Sequence, residues 1–247
     1  MARAAAVGTG PAYPPTMTVH RPVALVTGAS RGIGRAIALR LAPRWNIIAL
    51  ARTAPELDAL ALEIHDTGGT CERLVVDVTD ARALRSALEG REVDVVVNNA
   101  GVGVMKPFVE LQPEEWQLMM DVNLNAVYHV TQTVLPGMIA RGRGHVIIIG
   151  SIAGKAGFAG GAAYSATKFA VNGFAESLML EVRDAGVKVS VVMPGSVATS
   201  FSRTGRDQSW KLMAEDVAAA VEFLLDTPQR MLVDRIEMRP LNPPKKT

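Results

Sequence analysis

The sequence of 247 residues lacks the features of disulfide-rich, metal-binding and membrane-spanning proteins. Cys71 is its only cysteine, so no disulfide can form within the chain, and we expect a reducing, cytoplasmic environment. The four histidines stand far apart without the spacing of zinc ligands, so no metal site is predicted. No run of about 18 uncharged apolar residues occurs, and we therefore expect no membrane span.

An excess of charge of either sign is also missing. The 26 Lys and Arg residues nearly balance the 24 Asp and Glu residues, and they form no basic block, so we expect no nucleic-acid partner. Hydrophobic residues make up 49% of the chain and charged residues 20%. This composition excludes disorder, collagen and coiled coil, and it is sufficient for a large core.

Short apolar runs alternate with longer segments at helical spacing from Val23 onwards, which is the pattern of βαβ units. The runs are nearly continuous in apolar character, as is typical of parallel strands that are buried on both faces. We predict an α/β protein with a single Rossmann-type domain over residues 22–247, in which a doubly wound, seven-stranded parallel sheet carries helices on both faces. A flexible arm is predicted over residues 1–21, where Met17 is an alternative start.

The predicted strands are Val23–Thr27, Asn46–Ala51, Arg73–Asp77, Val93–Asn98, His145–Ser151, Val187–Met193 and Asp234–Arg239. The predicted helices span residues 32–43, 55–66, 80–89, 113–140, 163–185 and 214–226. Between the first helix and the second strand, Asn46 is expected to take a left-handed cap conformation.

A glycine-rich loop, TGASRGIG over residues 27–34, joins the first strand to the first helix. Gly28, Gly32 and Gly34 would let the backbone approach a pyrophosphate, while the helix N-terminus offers free N–H groups. A purely structural turn is the alternative, because Ile37 stands where a G-x-G-x-x-G motif has its third glycine. A P-loop is excluded because its Lys and Ser/Thr are missing, and a serine-hydrolase elbow is disfavoured because no histidine follows His145.

The end of the second strand indicates which dinucleotide would bind. An acidic residue there would bind the ribose hydroxyl of NAD, but the chain has Arg52 instead. Arg52, together with Arg31 of the glycine loop, could hold a 2′-phosphate by charge-assisted hydrogen bonds. We therefore predict NADP(H) as the cofactor, with two ordinary surface arginines as the alternative.

Tyr164 and Lys168 are four residues apart, so they share one face of a predicted helix. An ammonium group near a phenol favours the phenolate, so Lys168 is expected to lower the pKa of Tyr164 and to allow proton exchange with a substrate oxygen. Ser151 closes a predicted strand at the edge of the sheet where α/β proteins bind ligands, and its hydroxyl could polarise a carbonyl group. A surface Tyr–Lys pair and a capping serine are the structural alternatives.

Several motifs in this order resemble those of the short-chain dehydrogenase/reductase family over about residues 20–240. They are TGASRGIG at 27–34, Asp77-Val78, NNAG at 98–101, Asn123, Ser151, YSATK at 164–168, and Pro194-Gly195 with Thr199. The resemblance implies that Asn123 holds a water in a proton relay to Lys168, that Asp77 and Val78 hold adenine, and that Thr199 holds the nicotinamide carboxamide. A helix kink or polar core contact remains open for Asn123, and a turn residue for Asp77.

The residues and the resemblance together predict two overlapping groups of site residues. The catalytic group is Asn123, Ser151, Tyr164 and Lys168. The cofactor-binding group is Gly28, Ser30, Arg31, Gly32, Ile33, Gly34, Arg52, Asp77, Val78, Asn99, Ala100, Gly101, Tyr164, Lys168, Pro194, Gly195, Val197 and Thr199.

We therefore predict an NADP(H)-dependent oxidoreductase that interconverts a carbonyl group and a secondary alcohol by hydride transfer, with Tyr164 as general acid and base. The expected substrate is a small ketone, 3-oxoacyl or 3-hydroxy acid compound. Two alternatives are a 3-oxoacyl-carrier-protein reductase, from which the glycine-poor ending at 235–240 departs, and a non-catalytic NADP(H) sensor.

The segment over about residues 195–213 is expected to form a substrate lid. Arg203, Arg206 and Lys211 make this segment basic, which leaves an anionic substrate conceivable. Phe158, Met193 and Phe201 are candidates for an apolar wall of the substrate pocket. The resemblance also implies a homodimer or homotetramer, formed through the helices at 113–140 and 163–185.

Overall fold

Seven parallel strands form the sheet in the computed structural model, which describes residues 21–199, 201 and 208–244. The strands are β1 (Val23–Thr27), β2 (Asn46–Ala51), β3 (Thr70–Val75), β4 (Val95–Asn98), β5 (Gly144–Ile149), β6 (Val187–Pro194) and β7 (Arg235–Met238). Their order across the sheet is β3-β2-β1-β4-β5-β6-β7. Successive strands therefore extend to one side of β1 as far as β3 and to its other side from β4 onwards. The switch point between β1 and β4 is where open α/β sheets bind ligands.

Helices cover both faces of the sheet, as predicted. The α-helices are α1 (Gly32–Leu41), α2 (Ala54–Asp66), α3 (Ala81–Leu88), α4 (Pro113–Met120), α5 (Ala126–Ala140), α6 (Ala162–Val182) and α7 (Ala214–Asp226). Buried residues of α1, α2 and α7 form one core with the sheet, and those of α3, α5 and α6 form the other. Leu57, Leu60 and Ile64 of α2 illustrate why, because their helical spacing places all three on one fully buried face.

The two edge strands differ from the predicted pattern of strands buried on both faces. In β3, Thr70 and Glu72 are exposed, and in β7, Arg235 and Glu237 alternate with half-buried residues. The prediction of uniform burial is wrong here because an edge strand has a neighbour on one side only. A second reason is that the helices shield the middle strands from solvent more fully than the edge strands.

Asn46 does not take the expected left-handed conformation. It is the first residue of β2, and no residue other than glycine has a positive φ in the described part of the chain. The α1 helix ends at Leu41, and Ala42 continues in right-handed helical geometry. The Asn46 side chain instead donates a hydrogen bond to the carbonyl of Arg21 at 3.1 Å, which ties the start of β2 to the segment before β1.

The helix predicted at 113–140 is divided into three parts. A five-residue π-helix, Asp121–Asn125, separates α4 from α5. Of the predicted arm, only Arg21 is among the described residues. Arg203 and Arg206 of the predicted lid lie outside the described residues. The division of the chain into an arm and one domain stays a prediction.

None of the described helices is both long and apolar enough to cross a lipid bilayer. Within residues 21–199, 201 and 208–244, no cluster of His, Cys, Asp and Glu side chains has the arrangement of a metal site.

Candidate active site

The glycine-rich loop after β1 makes a turn that only glycine can make without strain. Gly28 and Gly32 have positive φ values of 64° and 55°. At Gly34, a Cβ atom would lie 2.3 Å from the carbonyl oxygen of Gly28, so α1 packs directly against the loop. The first N–H groups of α1 thus stand at the carboxyl edge of the sheet without side chains in front of them, which is the arrangement that binds a phosphate group.

Thr27 and Asn99 fasten this turn to the end of β4. The Thr27 hydroxyl accepts hydrogen bonds from the backbone N–H groups of Asn99 and Ala100, both at 3.0 Å. The Asn99 amide donates to the carbonyls of Thr27 and Gly28 at 2.9 and 3.2 Å. Thr27 was not predicted as a site residue, although it opens the glycine motif.

A cleft of about 910 Å³ extends along the carboxyl edge of the sheet from this turn. Most of the predicted site residues line it, and the exceptions are Gly34 and Asn123. The predicted residues that line it are Gly28, Ser30, Arg31, Gly32, Ile33, Arg52, Asp77, Val78, Asn99, Ala100, Gly101, Ser151, Tyr164, Lys168, Pro194, Gly195, Val197 and Thr199. Lys211, a residue of the predicted lid, also lines the cleft, as do Arg239, Met105 and Glu56, which were not predicted as site residues.

Arg52 and Asp77 face each other at one end of the cleft. An Arg52 Nη1 atom lies 3.6 Å from a carboxylate oxygen of Asp77, and both side chains are partly exposed. Burial acts to raise the pKa of Asp77, but hydrogen bonds from the Thr79 N–H and hydroxyl and the charge of Arg52 outweigh it, so the pKa is lowered. This end of the cleft therefore holds a carboxylate that is fixed by Thr79 and a guanidinium that is largely exposed.

Ser151, Tyr164 and Lys168 meet at the other part of the cleft. Ser151 follows β5, and Tyr164 lies in the first turn of α6 with Lys168 one turn further on. The Lys168 Nζ lies 5.7 Å from the centre of the Tyr164 ring and donates a hydrogen bond to the carbonyl of Ile149 at 3.0 Å. The two elements thus bring a hydroxyl, a phenol and an amine into one small volume.

The pKa of Tyr164 differs from the expectation. Burial raises this pKa, and the hydrogen bond with the Ser151 side chain opposes the shift only in part. Burial also lowers the pKa of Lys168 to about 8. The predicted lowering of the tyrosine pKa by the ammonium group is wrong for this structure, because removal from water disfavours the charged form of both groups.

Asn123 lies in the π-helix, where it is buried next to the site and does not line the cleft. Its Oδ1 accepts a hydrogen bond from Val102 N at 2.8 Å, and its Nδ2 donates to Val102 O and to the hydroxyl of Thr167 at 2.9 and 3.1 Å. The Thr167 hydroxyl in turn donates to the carbonyl of Tyr164. The buried amide therefore links the loop after β4 to the first turn of α6, which is the polar core contact that the sequence left open.

Two apolar wall candidates line the cleft and one does not. Phe158 and Phe201 both line it, and the ring centres of Phe201 and Tyr164 are 5.8 Å apart. Met193 is fully buried in the core with α3, α5 and α6. The prediction for Met193 is wrong because the pleat of β6 directs its side chain away from the cleft.

A glycine turn at the switch point, with a serine, a tyrosine and a lysine in the same cleft, defines a dinucleotide-dependent oxidoreductase of the Rossmann type. A family model described as short chain dehydrogenase matches residues 22–210. The chain belongs to the short-chain dehydrogenase family.

The chain is similar over most of its length to a curated protein and to solved structures. It is 36% identical over 224 residues to the 3-oxoacyl-(acyl-carrier-protein) reductase FabG of Escherichia coli K12, which covers 84% of this chain and 91% of that protein. It is similar to a metagenomic short-chain oxidoreductase in complex with NADP, with a TM-score of 0.80, 36% identity and coverage of 90% and 98%. It is also similar to an alcohol dehydrogenase from the archaeon Thermococcus sibiricus complexed with 5-hydroxy-NADP, with a TM-score of 0.83, 31% identity and coverage of 91% and 99%.

Proposed function

We propose that this protein reduces a small ketone with NADPH. The observation that carries the proposal is that Ser151, Tyr164 and Lys168 line the same cleft as the glycine turn and Arg52. A proton donor would be of no use to a protein that only binds a nucleotide, which argues against the sensor. The two similar solved structures contain NADP or 5-hydroxy-NADP, which supports the choice of cofactor.

The residues at both ends of the cleft fit this cofactor. The N–H groups at the start of α1 would bind the pyrophosphate, and the positive φ values of Gly28 and Gly32 give the loop the turn that brings its backbone to the cleft. Arg52 would hold the 2′-phosphate, with Arg31 as a second cation on the rim of the cleft. Asp77 would keep Arg52 in place and accept a hydrogen bond from adenine.

Tyr164 acts as the general acid in this proposal. Bound NADPH supplies the hydride that reduces the carbonyl carbon. The Tyr164 hydroxyl donates its proton to the carbonyl oxygen, and Ser151 holds that oxygen by a hydrogen bond. Lys168 binds the ribose next to the nicotinamide and supplies positive charge as the phenolate forms. Asn123 acts through Thr167, because it fixes the turn of α6 that carries Tyr164.

The raised pKa of Tyr164 keeps the phenol protonated, as a general acid requires. A phenol that holds its proton at neutral pH is ready to act as an acid, whereas the reverse reaction needs the phenolate. General acid catalysis of this kind contributes a factor of ~10² to 10⁴ in rate.

Tyr164→Phe tests the proposed reaction. We expect NADPH-dependent ketone reduction to fall by at least the ~10²-fold that general acid catalysis supplies, because the phenol is the proton donor. NADPH affinity, measured by the fluorescence of the bound cofactor, should stay within about twofold, since the ring remains. Activity that survives in Tyr164→Phe would remove Tyr164 from its role, and NADPH that fails to bind the unmodified chain would overturn the function as a whole.

A 3-oxoacyl-(acyl-carrier-protein) reductase is the second candidate, and the 36% identity to FabG favours it. A comparison of two substrates separates the two functions. One is a 3-oxoacyl group attached to the carrier protein, and the other is the same group on a short thioester. A carrier-protein reductase should have a much higher kcat/KM with the protein-bound substrate, whereas a reductase of small ketones should not distinguish the two.

We propose further that the chain acts in the cytoplasm as a homodimer or homotetramer. Its one cysteine, Cys71, has no partner within the chain. Large apolar side chains of α5 and α6, such as Tyr128 and Phe169, are exposed. Such patches are typical of surfaces that a second copy covers.

A further inference from the structure

The part of the cleft around Tyr164 has an apolar side formed by Met105, Phe158 and Phe201. These side chains are 44%, 46% and 47% exposed, although each would be more stable out of water. All three line the cleft. Large apolar side chains at the mouth of a pocket are typical of a site that receives an apolar ligand.

Backbone contacts hold this apolar wall together. Lys106 N donates to the carbonyl of Gly160 at 2.9 Å, which joins the loop after β4 to the turn that precedes α6. Met105 lies on the first of these segments and Phe158 on the second. This hydrogen bond fixes the segments that carry Met105 and Phe158 relative to each other.

Gly103 makes room for Phe201 beside Tyr164. A Cβ atom at position 103 would lie 2.6 Å from the Phe201 Cζ and 2.8 Å from the Met105 Cε. These two apolar groups therefore converge above a residue without a side chain. The ring of Phe201 also lies tilted at 53° against the ring of Tyr164, so an apolar surface begins directly beside the proposed proton donor.

Charged groups near the wall are engaged with the protein. Lys211 Nζ lies 3.5 Å from Gln208 Oε1, and Arg239 lies 3.7 Å from Glu237. The acidic residues among the described lining, Glu56 and Asp77, belong to the Arg52 end of the cleft. Among the described lining residues, no acidic side chain lies at the wall to bind the ammonium group of a zwitterionic substrate.

We propose that Phe201 determines specificity and that the substrates are ketones with an alkyl or aryl substituent. That substituent would lie against Phe201, Met105 and Phe158, and the carbonyl oxygen would lie at Tyr164 and Ser151. The inference rests on the proposed reductase function and adds the chemical class of the substrate.

The test compares 4-phenyl-2-butanone with hydroxyacetone, which share a methyl ketone but differ in the second substituent. We expect kcat/KM to favour the phenyl ketone by about tenfold or more. In Phe201→Ala this preference should fall about tenfold, with NADPH affinity unchanged, and Phe201→Leu should keep most of it. Gly103→Ala should change the preference in the same direction, because the ring must move.

Phe223→Ala is the matched control, since Phe223 is an exposed phenylalanine of α7 that does not line the cleft. It should keep the preference of the unmodified protein. An unmodified protein that prefers hydroxyacetone, or an unchanged preference in Phe201→Ala, overturns the inference.

A binding measurement separates this inference from the proposed function. If neither ketone is reduced, calorimetry with 4-phenyl-2-butanol and the NADP-loaded protein still reports on the wall. Binding that weakens about tenfold in Phe201→Ala then supports the apolar site, while the missing turnover counts against the proposed reduction. The absence of binding by the alcohol overturns the apolar site, and the reductase is judged separately by NADPH binding to the unmodified chain.

Discussion

Lys168 is the ionisable group of the site whose charge changes within the working pH range. Its pKa is lowered to about 8 because its ammonium group is buried. The group is therefore charged below that pH and loses its proton as the pH rises through it. Tyr164 does not lose its proton there, since its own pKa is raised by burial.

The pH dependence of reduction should therefore follow Lys168. We expect kcat/KM for ketone reduction to be highest below pH 8 and to fall as the pH rises through about 8. In Lys168→Arg, the remaining activity should keep its level to a higher pH, because a guanidinium stays charged. Initial rates over a pH series measure this. The same alkaline fall in both proteins would assign it to another group.

His145 makes the stability of the fold depend on pH. Burial, and secondarily the nearby charge of Lys188, lower its pKa to about 3, and its Nε2 lies 2.8 Å from the hydroxyl of Ser190. The unfolded histidine has a pKa of ~6.5, so the unfolded chain binds the proton first as the pH falls. The stability that the neutral ring provides is thus complete above pH ~6.5 and is lost progressively below it.

Urea unfolding at pH 8, 6 and 5 checks this dependence. The free energy of unfolding should fall below pH ~6.5 with a contribution from His145 of up to ~1.4 kcal/mol per pH unit. In His145→Gln, which retains a polar group near Ser190, this part of the slope should disappear. An equal slope in the variant would show that other groups cause the loss. The ring signals of His145 in labelled protein should not titrate between pH 7 and 5.

At the scale of elements, the turn from β1 into α1 depends on the absence of one side chain. Gly34→Ala would place a methyl group 2.3 Å from the Gly28 carbonyl oxygen and 2.5 Å from the Asn99 Nδ2. The helix and the turn must then separate, at a cost of about 1–3 kcal/mol in the free energy of unfolding. We expect a lower midpoint in urea and weaker NADPH binding.

Gly157→Ala is the matched control, because a methyl group at position 157 would meet no atom within 4 Å. It should leave the urea midpoint nearly unchanged. A Gly34→Ala protein with the stability and NADPH affinity of the original would mean that the turn can relax, and that its glycine is not required for close packing.

The elements that the sequence predicted best are those that carry local signals. β1 and β2 have the predicted bounds, because each is a short apolar run that ends in a polar or loop residue. β3 begins three residues earlier than predicted, at Thr70, since its register is set by pairing with β2 and not by its own apolar residues. β3 also ends earlier than predicted, at Val75, so Asp77 lies beyond the strand and not at its end.

The π-helix around Asn123 could not be predicted from local propensity. Within it, the Asn123 amide makes tertiary contacts, because it binds both backbone polar groups of Val102 and also contacts Thr167 on α6. The sequence did show that an asparagine in a long helix needs a reason. It could not show which partners provide that reason, because the segments lie 21 and 44 residues away.

At the scale of the whole molecule, the site assembles because parallel strands end at one edge of the sheet. Gly28, Asn99 and Ser151 come from the ends of β1, β4 and β5, and they meet although up to 123 positions separate them in sequence. The motifs and their order in the sequence thus predicted most of the residues that line the cleft. The raised pKa of Tyr164 and the burial of Met193 could not be predicted in this way, because both depend on how the side chains pack.

The outer faces of α5 and α6 predict how copies of the chain associate. Tyr128 and Ile139 on α5 and Phe169 and Leu180 on α6 are between 42% and 54% exposed. A cluster of exposed apolar side chains destabilises a monomer in water, and a symmetric partner would cover it. Light scattering should therefore give the mass of a dimer or a tetramer.

Phe169→Glu should shift this mass towards the monomer at micromolar protein concentration, because a carboxylate buried at the contact would lose its hydration without a partner. Leu62→Glu is the control, since Leu62 is an exposed leucine on α2, away from both helices, and should leave the mass unchanged. A monomeric unmodified chain, or a Phe169→Glu variant with the original mass, would show that these faces of α5 and α6 do not form the interface.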